Sequence, residues 1–152
     1  MTQTEWDCLP NAKHIDQVLA SLKSHPKKWR TSSEAAKMDI TWLEAWHAAW
    51  CSEDAVGRYN IWYTAWNAAN AITYKATYDA AWYAAKGAIL ALIVYDDCGY
   101  MIESEVGELK ILAKLGDPRA ILLLPACIIY NETKSTTPSK SYMDKIKCLF
   151  SI

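Results

Sequence analysis

Apolar positions recur at helical spacing along most of the chain. Ile15, Val18, Leu19 and Leu22 fall at i, i+3, i+4 and i+7 behind Asn11, which reads as the N-cap of a first helix ending near Ser24-His25-Pro26. Thr31-x-x-Glu34 and Thr41-x-x-Glu44 are capping-box patterns, and the second precedes the run Trp42 to Trp50. Ser52-Glu53-Asp54 restarts the chain as a long helix expected to reach about Tyr95 and to end at Asp96-Asp97-Cys98-Gly99. Two acids at a helix C-terminus oppose the macrodipole, so they need a neighbouring helix to cap or a ligand to meet. Ser104 reads as the cap of a helix through Leu109, Ile111, Leu112 and Leu115, with Gly116 at C′. Asp117-Pro118 then suits N-cap and N1 of another. Within that helix Pro125 lacks an N–H and crowds the carbonyl of Ile121, which predicts a kink. No β-branched alternation supports a sheet. The predicted fold is all-α: a single-domain bundle over residues 1–130, built round one long Ala/Trp-rich helix and expected to be oligomeric. Residues 131–152 read as a polar linker, Asn131 to Lys140, and a short C-terminal helix, Tyr142 to Phe150.

The informative pattern is a repeat of four. Positions 42, 46 and 50 are Trp, and positions 62, 66, 70, 74, 78, 82 and 86 continue the same phase as Trp, Trp, Asn, Tyr, Tyr, Trp and Lys. Two small-residue columns run beside it, one through Thr64, Ala68, Ala76, Ala80 and Ala84, the other through Ala65, Ala69, Ala81 and Ala85. A helix advances about 100° per residue, so each step of four overshoots a turn by ~40°. Between 62 and 86 the aromatic column therefore winds by roughly 240°. One neighbour cannot cover it. Either several helices surround it or some rings face a groove. The alanine columns permit close helix approach.

Composition narrows the classes. Hydrophobic residues are 52% and charged residues 22%, which excludes an extensively disordered chain. A net charge of -1 argues against a general DNA- or RNA-coating protein. Trp 8 and Tyr 9 against Phe 1 favour rings with a polar handle, as found where one side is wet. The five cysteines, at 8, 51, 98, 127 and 148, form no C-x-x-C pair and read as free thiols in a reducing cytoplasm. MTQTEWDCLPNAKH shows no signal peptide. The apolar runs Ala88 to Tyr95 and Ala120 to Tyr130 fall short of the ~20 residues a spanning helix needs and read as buried helix.

Catalytic signatures are sparse. Glu44-x-x-His47 has the spacing of a di-iron half-site but lacks a second copy. His14 and His25 are scattered, and Cys98 has no histidine near it in sequence. No G-x-S-x-G, P-loop or G-x-G-x-x-G occurs. The expectation is a protein that is not an enzyme and uses no metal or cofactor.

Two blocks together carry a resemblance: AWHAAW, AWNAAN and AWYAAK, and then Ala91 to Tyr130, ALIVYDDCGYMIESEVGELKILAKLGDPRAILLLPACIIY. They resemble a group of small tailed-phage proteins joining an A-W-x-A-A array to a Y-D-D-C block and a G-D-x-x-A-I-L-L-L-P-A ending. The array alone is also similar to Ala-rich immunity-type proteins. The resemblance covers about residues 40–130 and implies a phage protein expressed against host defence. A class that fits is the anti-CBASS or anti-Thoeris sponge, a cytoplasmic homo-oligomer that sequesters a nucleotide signal without cleaving it. The phosphodiesterase type needs two H-x-T motifs, which this chain lacks.

Such a sponge needs π-faces for bases, for which Trp62, Trp66 and Tyr74 are candidates. It needs amide or carboxylate partners for base edges, for which Asn67, Asn70 and Asp97 are candidates. It needs cations for phosphates, for which Arg58 and Arg119, and Lys75 and Lys86 on the long helix, are candidates. The alternative is a protein-binding inhibitor or immunity module that occludes a host effector, since interface hot spots favour Trp, Tyr and Arg. A virion assembly protein without a ligand is a third reading. Neither DNA nor a membrane is an expected partner.

Overall fold

The structure is a computed structural model that describes residues 4–37, 39–73 and 83–134. It is all-helical among the described residues. The helices are α1 (Ala12–Ser24), α2 (Pro26–Lys37), α3 (Ile40–Trp50), α4 (Glu53–Gly57), α5 (Tyr59–Thr73) and α6 (Tyr83–Val94). A 3-10 helix (Gly99–Glu103), α7 (Val106–Lys114) and α8 (Pro118–Lys134) follow.

The centre of the bundle is α6. Every residue from Ala84 to Val94 except Lys86 is buried. A helix apolar all round must be surrounded, and α6 packs against α1 through α5 and α8. Burying each of Ile89, Leu90, Leu92 and Ile93 stabilises the fold by ~1.5–3 kcal/mol relative to exposure. The stripe Ile15, Val18, Leu19 and Leu22 of α1 is buried as its spacing predicts. Both apolar runs are helix, α6 and α8. No helix among the described residues is long and apolar enough to cross a membrane.

The single long helix does not form. Ser52 does restart the chain, its hydroxyl accepting from the Ala55 N–H at 3.2 Å. But α4 ends at Gly57, and Arg58 takes φ -116° and ψ 22° before α5 begins. Nor are α5 and α6 parts of one rod. On a rod, residues 66 and 86 would stand about 30 Å apart; Lys86 Nζ lies 5.2 Å from the Trp66 ring centroid. Residues 74–82 lie outside the described residues, and Tyr74, Lys75, Tyr78 and Trp82 of the column with them.

Local caps also differ. Thr31 sits inside α2, where its hydroxyl donates to the Lys27 carbonyl at 3.1 Å. Thr41 is inside α3, whose N-cap is Asp39, accepting from the Thr41 N–H at 2.9 Å. Ser104 closes the 3-10 helix, and Glu105 is the N-cap of α7. Gly116 behaves as its spacing predicts. At φ +87° it lets its own N–H reach Ala113 O (3.0 Å) and the Asp117 N–H reach Leu112 O (3.1 Å), closing α7. Helix α8 runs through Pro125 and on to Lys134, past the expected boundary at 130. Asn131 Nδ2 donates to Ser104 O (3.0 Å) and Cys127 O (2.9 Å) at that end. The expected C-terminal helix Tyr142 to Phe150 lies outside the described residues.

Candidate functional site

Steps of four put side chains one above another on a helix, and the rings use this twice. On α3, Trp42 stacks on Trp46 and Trp46 on Trp50, each pair 5.7 Å apart and nearly parallel at 13° and 12°. On α5, Trp62 stacks on Trp66 at 5.9 Å and 8°, and Tyr59 on Tyr63 at 6.3 Å and 23°. The stacks meet edge-to-face: Trp46 and Trp50 each contact Trp62, at 5.5 and 5.8 Å, and Trp50 contacts Tyr59 at 6.2 Å. Tyr83 of α6 meets Trp42 at 5.7 Å. Offset and edge-on pairs each contribute ~0.5–1.5 kcal/mol beyond burial.

The ~40° drift per step decides which rings are covered. Trp42 is 3% exposed, Trp46 is half-buried and Trp50 is 36% exposed. Trp62 is buried and Trp66 half-buried, while Tyr59 and Tyr63 stand 51% and 57% exposed. The ladder is anchored inside the protein and emerges at its outer end. Its inner end is tight: a Cβ on Gly87 would lie 2.9 Å from Cζ2 and Nε1 of Trp42.

The open end continues along α5. Asn60, Tyr63, Asn67 and Asn70 fall at i, i+3, i+7 and i+10, all exposed. None of the 15 residues of α5 is charged. Leu43 (46% exposed) shares the α3 face of Trp46 and Trp50. Together these residues make an uncharged aromatic and amide ledge. Lys86, among the described residues, is a cation beside it, its Nζ 5.2 Å from the Trp66 centroid and 5.8 Å from that of Trp46.

The sequence candidates separate into two groups. Trp62, Trp66, Asn67 and Asn70 belong to the ledge helix. Arg58, Asp97 and Arg119 belong to a clasp around the C-terminus of α6. Arg58 Nη1 donates to the Ile93 carbonyl and to Asp96 Oδ1, both at 2.6 Å, and Nη2 reaches Asp96 Oδ2 at 3.3 Å. Arg119 donates to Asp117 (Nη2–Oδ2 2.8 Å) and to Asp97 (Nη1–Oδ2 2.9 Å). The acids at the end of α6 thus meet two arginines from other elements, which offsets their opposition to the helix dipole. Hydrogen bonding to Arg58 holds the Asp96 carboxyl below its ordinary range, and Arg119 does the same to Asp117. Neither arginine is unpaired.

The rest of the clasp is Asn11. Its side chain does not cap its own helix. Nδ2 donates to the carbonyls of Leu92 (3.0 Å) and Tyr95 (2.7 Å), and Oδ1 accepts from the Gly99 N–H (3.1 Å). Cys98 is buried beside it, its Sγ donating to Ala91 O at 3.4 Å. Burial pushes the Cys98 thiol up to about 12, so it stays protonated and is a poor nucleophile. Among the described residues no group of three or more His, Cys, Asp or Glu is placed to hold a metal ion.

Sequence reasoning put Trp42, Trp46, Trp50 and Lys86 in the column, weighing Lys86 only as a cation for phosphates, and it passed over Tyr59 and Tyr63 as site residues. The i, i+4 pairing of Tyr59 with Tyr63 was the available signal. A cavity of about 220 Å³ lies elsewhere, lined by Val18, Ser21, His25, Trp29, Ile102 and Tyr130, and no sequence candidate reaches it. No family model, curated protein or solved structure matches the chain.

Proposed function

We propose that this protein is a binding module that occludes a partner protein through the α3–α5 ledge. The observation that carries the reading is that α5 has no charged residue yet exposes Tyr59, Asn60, Tyr63 and Asn67, next to exposed Trp50. Interface cores are depleted in charge and enriched in Tyr and Trp. Tyr and Asn together supply rigid contact area and adaptable hydrogen bonding at low entropic cost. Stacking fixes the rings before any partner arrives, which lowers the cost of ordering them on association. The resemblance to small tailed-phage proteins makes a host defence effector the partner class.

A photo-crosslinking residue at position 63, compared with one at exposed Ile111 on α7, tests this in host cells. One discrete adduct from position 63 and none from 111 is the expected outcome. It should disappear when Trp50 is replaced by Ser. Equal, diffuse labelling from both positions would refute it.

Sequestration of a nucleotide signal is the second reading. It is favoured by the exposed Tyr59 and Tyr63 faces beside the amides of Asn60 and Asn67, which suit a base. It is disfavoured for the phosphates, because Arg58 and Arg119 already hold carboxylates. Calorimetric titration with cyclic dinucleotides, cyclic trinucleotides and ADP-ribose derivatives separates the two; saturable heat would favour the nucleotide.

A further inference from the structure

The ring ladder already binds one cation. Lys86 reaches the faces of Trp46 and Trp66, both half-buried. At the open end, Trp50 and Tyr59 meet edge-on and stay exposed, and no cation among the described residues lies over either ring. The link between these two rings is α4, whose first turn carries Glu53 and Asp54. Both are exposed, and neither forms a salt bridge among the described residues. The next cation along the chain, Arg58, is hydrogen-bonded to Asp96 and also feels the charge of Asp54. The open end of the ladder is therefore two π-faces joined by a short helix that carries two exposed carboxylates, of which Asp54 shares the charge of Arg58 and Glu53 forms no ion pair among the described residues. An anionic ligand is repelled there. A guanidinium or ammonium gains from the rings and the acids together.

We infer that the partner docks on this end with a cationic segment, an arginine or lysine lying against Trp50 and Tyr59 and paired with Glu53 or Asp54. This names the chemistry of the partner for the ledge proposed above and rests on that reading.

The test follows the indole N–H signals of ¹⁵N-labelled protein, with Trp50 assigned by Trp50→Phe. The titrants are three blocked decapeptides of alternating sequence: Gly-Arg, Gly-Ser and Gly-Glu. The Gly-Arg peptide should shift the Trp50 signal saturably and the other two should not. Tyr59→Leu, which keeps every charge, should weaken that binding roughly threefold. The double change Glu53→Gln with Asp54→Asn should weaken it by at least as much. Equal shifts from all three peptides would overturn the cationic inference and leave the ledge standing. No shift from any would overturn it too, while crosslinking at position 63 would still judge the ledge. Binding of Gly-Arg that ignores Tyr59→Leu would place the cation on carboxylates alone and also overturn it. So would a Trp50 shift driven by protein concentration with a dimer mass in sedimentation, which would make a second copy the occupant.

Discussion

Arg58 closes on Asp96 with both arms of its guanidinium, and the arm at 2.6 Å from the carboxylate also holds the Ile93 carbonyl at 2.6 Å. One side chain therefore caps the central helix and neutralises the acid that follows it. The two roles differ in weight. The ion pair is half solvated on the Asp96 side, so it is worth ~0–1 kcal/mol, whereas the carbonyl contact is part-buried. Arg58→Ala is expected to destabilise the protein more than Asp96→Ala, by about 1–2 kcal/mol in urea unfolding. Equal effects would show that the carbonyl contact contributes nothing.

Asn11 serves α6 in the same way from the other side. Asn11→Ala leaves the Leu92 carbonyl and the Gly99 N–H without their side-chain partner in a mostly buried place, while the Tyr95 carbonyl keeps only the Cys98 N–H at 3.3 Å. Such losses cost about 1–3 kcal/mol per stranded group, partly shared among them. A drop of roughly 3 kcal/mol by chemical denaturation is expected. Asn11→Asp should not rescue it, because a carboxylate cannot donate to the two carbonyls.

Gly87 and Gly99 are fixed by close approach. A Cβ at 87 would press on the Trp42 indole at 2.9 Å, and one at 99 would lie 2.4 Å from His14 Nδ1 and 2.5 Å from Asn11 Oδ1. Overpacking typically costs ~1–3 kcal/mol. Gly99→Ala should cost more than Gly87→Ala, because it also breaks the Asn11 contact. Gly87→Ala should change the near-ultraviolet dichroism of the stacked indoles, and Gly99→Ala should leave it largely intact.

His14 sets a pH dependence. It is buried, with neither ring nitrogen hydrogen-bonded, and burial followed by the nearby Lys13 charge lowers its proton affinity, opposed by Glu103. The unfolded chain therefore binds more protons than the folded one just below the ordinary histidine value of ~6.5, so stability rises with pH in that window. The contribution is complete above ~6.5 and is lost as pH falls toward and through the lowered value. Asp96 and Asp117 are lowered from 3.8, so their losses fall below that value and stay separate. Urea midpoints between pH 7.5 and 5 should fall for the wild type. In His14→Leu that slope should flatten.

Local pattern made part of this structure legible. The α1 stripe, the Gly116 stop and the helical nature of both apolar runs follow from spacing and glycine geometry. The ~40° drift of the aromatic column reappears as the exposure gradient from Trp42 to Trp50. The break at Arg58 was hidden because it depends on Asp96 and Ile93, more than thirty residues away. Asn11 looked like a cap for its own helix for the same reason: its partners are far along the chain. Thr31 and Thr41 match a capping pattern, but helices begun at Pro26 and Ile40 carry them inside. The column's phase located the rings, while only the neighbours decide which of them stay open.

The ledge itself is best tested by isothermal titration of the crosslinked partner, once purified, against wild type and against the double substitution Trp50→Ala with Tyr63→Ala. Removing two exposed ring anchors should weaken binding by at least about thirtyfold, the scale of an interface hot spot, measured at a temperature where far-ultraviolet dichroism shows the variant folded. An affinity within threefold of wild type would contradict the account, because the rings would then lie outside the contact.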